Sequence, residues 1–447
     1  MPVSSRFRPS YRNIWGVSYP LIVTGISETV VDVTDTVFLA HYGMTELGAI
    51  ALADAIYAVA LFMTLGLVDG IQITIGRRAG EGGARQIGAV FNQGLYVLLI
   101  TAVLLILGIK FLVPSATGLL FASSAIHAAV DSYLQIAAFG LLFYSFNLAL
   151  GAFYIGIART RILIGATLVL ATTNIVLDYA LIFGNWGLPE LGIEGAGYAS
   201  LCAEMAASLF LLFDVVRQRY RVSHHLLRLT PWDYPLVRRL LALSLPVSLE
   251  NLVATGRWLA FFAIVEQVGE QPLAQANIVY SCYALFLIPV DAFSETVCSM
   301  VSNLLGQLRA RQLWPMLRRT VVLTFLTLLP LLVLTLSLPE QVIALFSDDP
   351  AMVDGALAGL LVVVAVTLIA VPAEMLYSAL AGTGDTQAIL VIQSLVAVVT
   401  LATVYGVAIW LGLPLAWIWV AEGVGWTSCL LLSWAWLHGG LWRRIQV

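Results

Sequence analysis

Charge is what this chain has least of. Lys, Arg, Asp and Glu together make up 11% of its 447 residues, against 60% hydrophobic residues, and its mean hydropathy is +0.93. A soluble protein of this size needs far more polar side chains to cover its surface, so lipid is the solvent that fits. Histidine is scarce too: the five residues His41, His127, His224, His225 and His438 fall at the ends of apolar stretches or in connections. No Gly-x-Ser-x-Gly, His-Glu-x-x-His or phosphate-binding loop occurs, so the tools of hydrolysis and ATP use are missing. An enzyme is not expected, nor is a cofactor or a nucleic-acid partner. The four cysteines, Cys202, Cys282, Cys298 and Cys429, lie in apolar segments without metal-ligand spacing. They read as small core residues, not as a disulfide framework. No removable signal peptide is read at the start.

What the chain has in abundance is long apolar runs. A helix needs about 20 apolar residues to cross a hydrocarbon core, and about twelve such stretches are expected, at 14–40, 46–76, 88–113, 128–157, 161–184, 192–218, 239–267, 272–305, 314–338, 352–382, 386–411 and 414–440. A membrane barrel would instead show segments of about ten residues with alternating polarity. Leu95–Ile109 and Leu357–Val371 are apolar all round, so helices win. Basic residues gather at the N-terminus (Arg6, Arg8, Arg12), in alternate connections, and at Arg443 and Arg444. Retention of Lys and Arg on the cytoplasmic side then places both termini inside, in a bacterial inner membrane. The exceptions are Lys110, near a span end where it can snorkel, and Arg257, inside the seventh stretch. The 12 tryptophans, several in Trp410–Trp442, read as interface anchors.

An internal repeat sets the architecture. A shift of 226 positions carries Ser18-Tyr-Pro20 onto Ser244-Leu-Pro246, Leu47 onto Leu273, Gly80 onto Gly306 and Gly156 onto Gly382. Two halves of six helices each share one orientation, and parallel repeats of this kind are a transporter architecture. The expected division is 1–218, a cytoplasmic linker at 219–238, and 239–447. The fold class is therefore an all-α membrane protein of 12 transmembrane helices in two pseudo-symmetric six-helix lobes, able to act as a monomer on a small-molecule substrate.

A carboxylate at membrane depth is costly, so buried acids are where function is sought. The first stretch carries Glu28, Asp32 and Asp35, whose spacing puts all three on one helix face. The fifth carries Asn174 and Asp178 one turn apart. Further acids fall at Asp54, Asp69, Glu204, Glu250, Asp291, Glu295, Glu374 and Glu422, and Arg257 is the lone deep base against them. Glu250 and Arg257, seven apart on one face, can neutralise each other. Acids in such excess must be protonated, hydrated or cation-bound. Pro20, within an apolar run, frees a carbonyl and permits bending.

These residues carry a resemblance to a known family. The stretch Pro20…Val33-Thr-Asp35-Thr-Val-Phe-Leu-Ala, the stretch Asn174-Ile-Val-Leu-Asp178-Tyr-Ala-Leu-Ile-Phe-Gly184, the segment Gly192-Ile-Glu-Gly195-Ala-Gly-Tyr-Ala-Ser200, and the paired ends Gly156-Ile-Ala-Arg-Thr160 and Gly382-Thr-Gly-Asp-Thr386 together resemble the multidrug and toxic compound extrusion (MATE) transporters, in their DinF-like branch. The resemblance implies a V-shaped bundle of two lobes that alternates its opening and exports amphipathic or cationic compounds against inward H⁺ or Na⁺. It implies cation coupling at Asp35, Asp178, Asn174 and Ser200, with Na⁺ able to sit among the first three and H⁺ the expected ion. Glu28, Asp32 and Asn147 are then expected to line the substrate cavity, and Pro20 to be the hinge. In branches with a second cation site the acids fall where this chain has Ala254 and Ala370, with Glu250 and Glu374 displaced by one turn. A lipid or lipid-linked sugar flippase is the alternative, and the scarcity of intramembrane Arg and Lys weighs against it. The major facilitator fold, also a parallel repeat, usually shows a Gly-x-x-x-Asp-Arg-x-Gly loop where this chain has Gly76-Arg-Arg-Ala-Gly-Glu.

Overall fold

The computed structural model describes residues 7–120, 123–347, 349–440 and 442. Arg6, Arg443 and Arg444 lie outside these residues. Helices account for the regular structure throughout the described residues, as an apolar chain requires when each backbone group must find its partner within its own segment. In the first half they are α1 (Tyr11–Tyr42), α2 (Met44–Glu81), α3 (Ala84–Phe111), the short α4 (Val113–Leu120), α5 (Ser124–Ala137), α6 (Gly140–Gly156), α7 (Arg161–Ile182), α8 (Ile193–Arg217) and the single turn α9 (Tyr220–Ser223). The second half runs α10 (Tyr234–Glu266), α11 (Glu270–Gly306), α12 (Leu313–Ser337), α13 (Pro339–Ala344), α14 (Pro350–Thr383), α15 (Thr386–Tyr405), which continues as a π-turn, and α16 (Leu415–Gly439).

Among the described residues ten helices are long and apolar enough to cross a membrane. The stretch expected as one span at 128–157 is instead α5 and α6, bent by 48° at a short break, and together they make an eleventh. α10 is the remaining long helix at 33 residues, and it carries Glu250 and Arg257 within its length.

The repeat recurs element by element. Adding 226 to the bounds of α2 gives 270–307 against an observed Glu270–Gly306, and adding it to α5–α6 gives 350–382 against Pro350–Thr383. By element bounds the offset departs furthest from 226 along a whole element at the last pair, where α8 runs Ile193–Arg217 and α16 Leu415–Gly439. Equivalent glycines explain why the register is held. A Cβ on Gly156 would meet Ile75 Cγ2 at 2.6 Å, and one on Gly382 would meet the Cys298 carbonyl oxygen at 2.4 Å and Val301 at 2.9 Å. Ile75 and Val301 are themselves repeat partners. In each half, then, a missing side chain lets α6 close on α2 and α14 close on α11.

Packing divides the chain into two compact units: Tyr19–Ser244, and Leu245 onward together with the stretch that ends at Ser18. Both divisions fall inside a continuous helix, α1 or α10, just ahead of Pro20 and Pro246. They differ from the expected bounds at 218 and 239 because buried hydroxyls tie the helix starts down. Ser18 Oγ donates to Thr296 Oγ1 at 2.8 Å in the second unit, and Ser244 Oγ donates to the Leu67 carbonyl at 3.1 Å in the first. The connection at 219–238 is docked as well. Gln93 of α3 donates to the Pro231 carbonyl at 2.8 Å, and Asn92 donates to the His225 carbonyl at 3.0 Å.

Within the first unit α2 packs on α3, α5 and α6, while α8 packs on α5, α6 and α7. In the second, α11 packs on α12 and α14, and α16 on α14 and α15. Two expectations change here. Cys202 is exposed on α8 and not a core residue. Trp419 is fully buried, so it is core where an interface anchor was expected; Trp410, Trp417 and Trp434 do lie exposed.

Candidate functional site

The acids of α1 and α7 meet in the first unit. α1 presents Glu28, Asp32 and Asp35 on one face; Glu28 and Asp32 are exposed and Asp35 is half-buried. α7 presents Asn174 and Asp178, which are 1% and 0% exposed. Asp35 interacts directly with both Asp178 and Asn174, and electrostatically with Asp32. Ser200 of α8 joins them by accepting from Asn174 Nδ2 at 3.5 Å. All four expected coupling residues therefore converge.

What the cluster lacks decides its chemistry. Both carboxyl oxygens of Asp178, Oδ1 of Asp35 and Oδ1 of Asn174 are buried and without a hydrogen-bond partner among the described residues. Two carboxylates in contact are both acceptors, so neither satisfies the other unless a proton or a cation lies between them. Among the described residues of α1, α7 and α8, Lys and Arg are confined to Arg12, Arg161 and Arg217, at helix ends, so these three helices bring no fixed positive charge to the cluster. Oxygen donors of this kind suit a hard monovalent cation or a proton better than a transition metal.

Glu28 and Asn147 open onto a second group that was not foreseen. Glu204 of α8 lies within electrostatic reach of Glu28. Asn147 of α6 donates to Glu204 Oε2 at 2.7 Å and accepts from Ser208 Oγ at 2.8 Å. Its amide is thus engaged in holding Glu204, which places it behind the acid. The spacing Ser200, Glu204, Ser208 on α8 is the signal that would have found this group, since residues four apart share a helix face. Asp54 of α2 is a further neighbour, in electrostatic reach of Asp32 and Asp35. Pro20 stands inside α1, where it has no N–H to donate to the Gly16 carbonyl.

The second unit holds its acids differently. Arg257 pairs with Glu422 of α16, both buried, so the neutralisation expected between Arg257 and Glu250 is not what the structure shows. The seven-residue spacing aligned Glu250 with Arg257 on the helix, but α16 brings a carboxylate closer. Glu374 of α14 accepts from Ser294 Oγ at 2.7 Å, and Glu250 interacts with Tyr377 and Glu374.

Comparison with known proteins follows the same outline. The MatE family profile matches residues 20–180 and again 246–408, two segments that begin at Pro20 and Pro246. A probable multidrug resistance protein NorM of Synechocystis is 26% identical over 365 residues, covering 78% of this chain and 77% of that protein. Multidrug resistance protein MdtK of Cronobacter sakazakii is 23% identical over 432 residues, covering 93% and 90%. A crystal structure of a MATE protein in complex with MaL6 superimposes with a TM-score of 0.90 over 99% of both chains at 18% identity. The all-α fold is shared with that structure, and the family profile covers most of the chain. This protein belongs to the MatE family, and is an integral, multi-pass membrane transporter and not an enzyme.

Proposed function

We propose that the chain is a cation-coupled antiporter that exports amphipathic or cationic small molecules, with H⁺ as the coupling ion and Na⁺ as the other cation the site could hold. One observation carries the reading: Asp35 and Asp178 interact directly, with buried oxygens that have no partner among the described residues, and α1, α7 and α8 carry their Lys and Arg residues only at helix ends. A pocket so charged favours one cation at a time. A proton or Na⁺ arriving from one side then displaces a cationic substrate, and each ligand shifts the conformational population away from the other. The relatives, multidrug resistance proteins NorM and MdtK, support export of drug-like compounds as the direction of travel.

Within the family we place the chain in the DinF-like branch, on the stretch Asn174–Gly184, and in a bacterial inner membrane with both termini cytoplasmic, on the distribution of its arginines. It works as a monomer in lipid, and the ion gradient takes the place of a cofactor or ATP. The test is Asp35→Asn in proteoliposomes. Under an imposed pH or Na⁺ gradient, dye export is lost while insertion and thermal unfolding stay close to the unsubstituted protein. Coupled export at the normal rate by that variant overturns the proposal.

A further inference from the structure

The connection at 219–238 lies along α3 and leaves a cavity beside it. Gly88 lets the chain approach, since a Cβ there would overlap the His224 carbonyl oxygen. Two turns further on, the Tyr96 hydroxyl accepts from the Thr230 N–H at 3.0 Å and donates to the Thr230 carbonyl at 3.3 Å. Gln93 Oε1 accepts from the Asp233 N–H at 3.2 Å. Against these clamps stands a cavity of about 560 Å³, lined by Ala89 and Gln93 of α3 and by Pro231, Trp232, Tyr234 and Pro235. That volume is within the range of small-ligand sites.

The walls have little polar capacity left. Gln93 uses both ends of its amide on the connection, and Asp233 Oδ1 caps α10 by accepting from the Leu236 N–H at 3.1 Å. What faces an occupant is mostly ring, proline and alkyl surface. Charge stands around it instead. Arg85 precedes Ala89 by one turn of α3, and Arg238 and Arg239 follow Tyr234 and Pro235 by one turn of α10, so each shares a helix face with a lining residue. Arg228 and Arg85 both lie within electrostatic reach of His225. All four arginines are exposed, and none pairs with a carboxylate among the described residues. Asp233 is the one acid of the lining, and four guanidinium groups outweigh it.

Depth identifies the occupant. α3 is 28 residues long, roughly 42 Å, which matches a bilayer with its headgroups. Arg85 stands in the first turn, at headgroup level. Ala89 lies roughly 8 Å along the axis, where headgroups give way to hydrocarbon. The connection fits the same boundary: Leu226 is 0% exposed and anchors it, while Leu229 is 96%, Tyr234 66% and Trp232 50% exposed. Apolar and aromatic side chains set among arginines mark a surface that lies in the interface of an anionic membrane. A soluble anion would use the arginines and leave the apolar cavity unfilled. We propose that the cavity holds an anionic glycerophospholipid of the leaflet facing the arginine-rich loops, its phosphate on Arg85 and Arg228 and the start of its acyl chains among Ala89, Trp232 and Tyr234. The lipid so placed bridges the connection to α3.

Lipid binding to the purified full-length protein in mixed micelles tests this, with bound lipid counted by native mass spectrometry. Phosphatidylglycerol and phosphatidylcholine with the same acyl chains are titrated separately, so that the headgroup alone differs. Phosphatidylglycerol should bind on the order of tenfold more tightly, the effect of two arginines at a membrane surface. Arg85→Gln/Arg228→Gln should remove most of that preference. Arg217→Gln/Arg221→Gln removes the same charge from the connection and its approach, away from the cavity, and should leave the preference in place. Ala89→Phe fills the cavity with every arginine present and should weaken phosphatidylglycerol binding severalfold; it also carries the test if the first double variant does not fold. Equal loss in the two double variants means general attraction to a basic face and overturns the site. Equal binding of the two lipids overturns it as well, as does full binding by Ala89→Phe. Displacement of the lipid by glycerol 3-phosphate at a similar concentration does the same, because the site would then serve a soluble phosphate. Asp35→Asn should bind phosphatidylglycerol as the unsubstituted protein does, so failure of the export reading leaves this result standing.

Discussion

Gly382→Ala adds one methyl group where the second half has no room for it. The new Cβ would lie 2.4 Å from the Cys298 carbonyl oxygen, 3.1 Å from the Cys298 carbonyl carbon and 2.9 Å from Val301. Two of these atoms are helix backbone and cannot rotate away, so α14 must move off α11. Overpacking of this sort costs about 1–3 kcal/mol. Alanine returns up to about 1 kcal/mol of helix propensity, and less here because Gly382 stands in the last turn of α14. The expected net loss is about 1–2 kcal/mol, a fall in unfolding temperature of about 2–8 °C for a unit of this size. Gly256→Ala is the control. No atom lies within 4 Å of its Cβ position, so only the propensity gain remains and the transition should stay or rise. Thermal unfolding of the purified variants, followed by tryptophan fluorescence, reads the difference. If Gly382→Ala and Gly256→Ala unfold together, the close approach of α14 to α11 is not what holds this half.

Three further outcomes follow from the same packing. Arg257→Met leaves Glu422, 2% exposed, as an unpaired buried charge and should destabilise by about 3–5 kcal/mol; the double variant Arg257→Met/Glu422→Leu should recover most of that in the same unfolding assay. Asn147→Ala removes the donor at 2.7 Å from Glu204 and the acceptor for Ser208; a loss of about 1–3 kcal/mol with weakened dye export is expected, and Asn147→Asp should fail as well by setting a second carboxylate against the first. Ser18→Ala and Ser244→Ala each delete a buried hydroxyl bond at about 1 kcal/mol. Their effects should add in the double variant, since the two sites share no partner.

The neighbours of Asp35 divide into those that sequence spacing groups together and those that only packing does. Glu28, Asp32 and Asp35 were one face because helical spacing is fixed by the backbone, and the same rule joined Asn174 to Asp178. That α1 and α7 bring Asp35 against Asp178 was legible through resemblance. Glu204 was visible only as one acid among many, and although Asn147 was expected at the cavity, nothing local pairs it with an acid on another helix.

Hydrophobicity, length and the 226-residue offset are properties summed along the chain, so the sequence by itself determined the membrane class, the helix count apart from the broken α5–α6 span and the charged α10, and the equivalence of the halves. Which side chain meets which is a property of packing, where contacts join residues more than a hundred positions apart. Glu422 reaches Arg257 from 165 residues away and displaces Glu250, the partner that helical spacing suggested. Likewise, Ser18 is bound to Thr296 across 278 residues, so the first turns of α1 join the unit built from the second half. Tertiary structure alone decided these pairings, because a buried polar group goes to the partner that packing brings within reach, whatever its place in the chain.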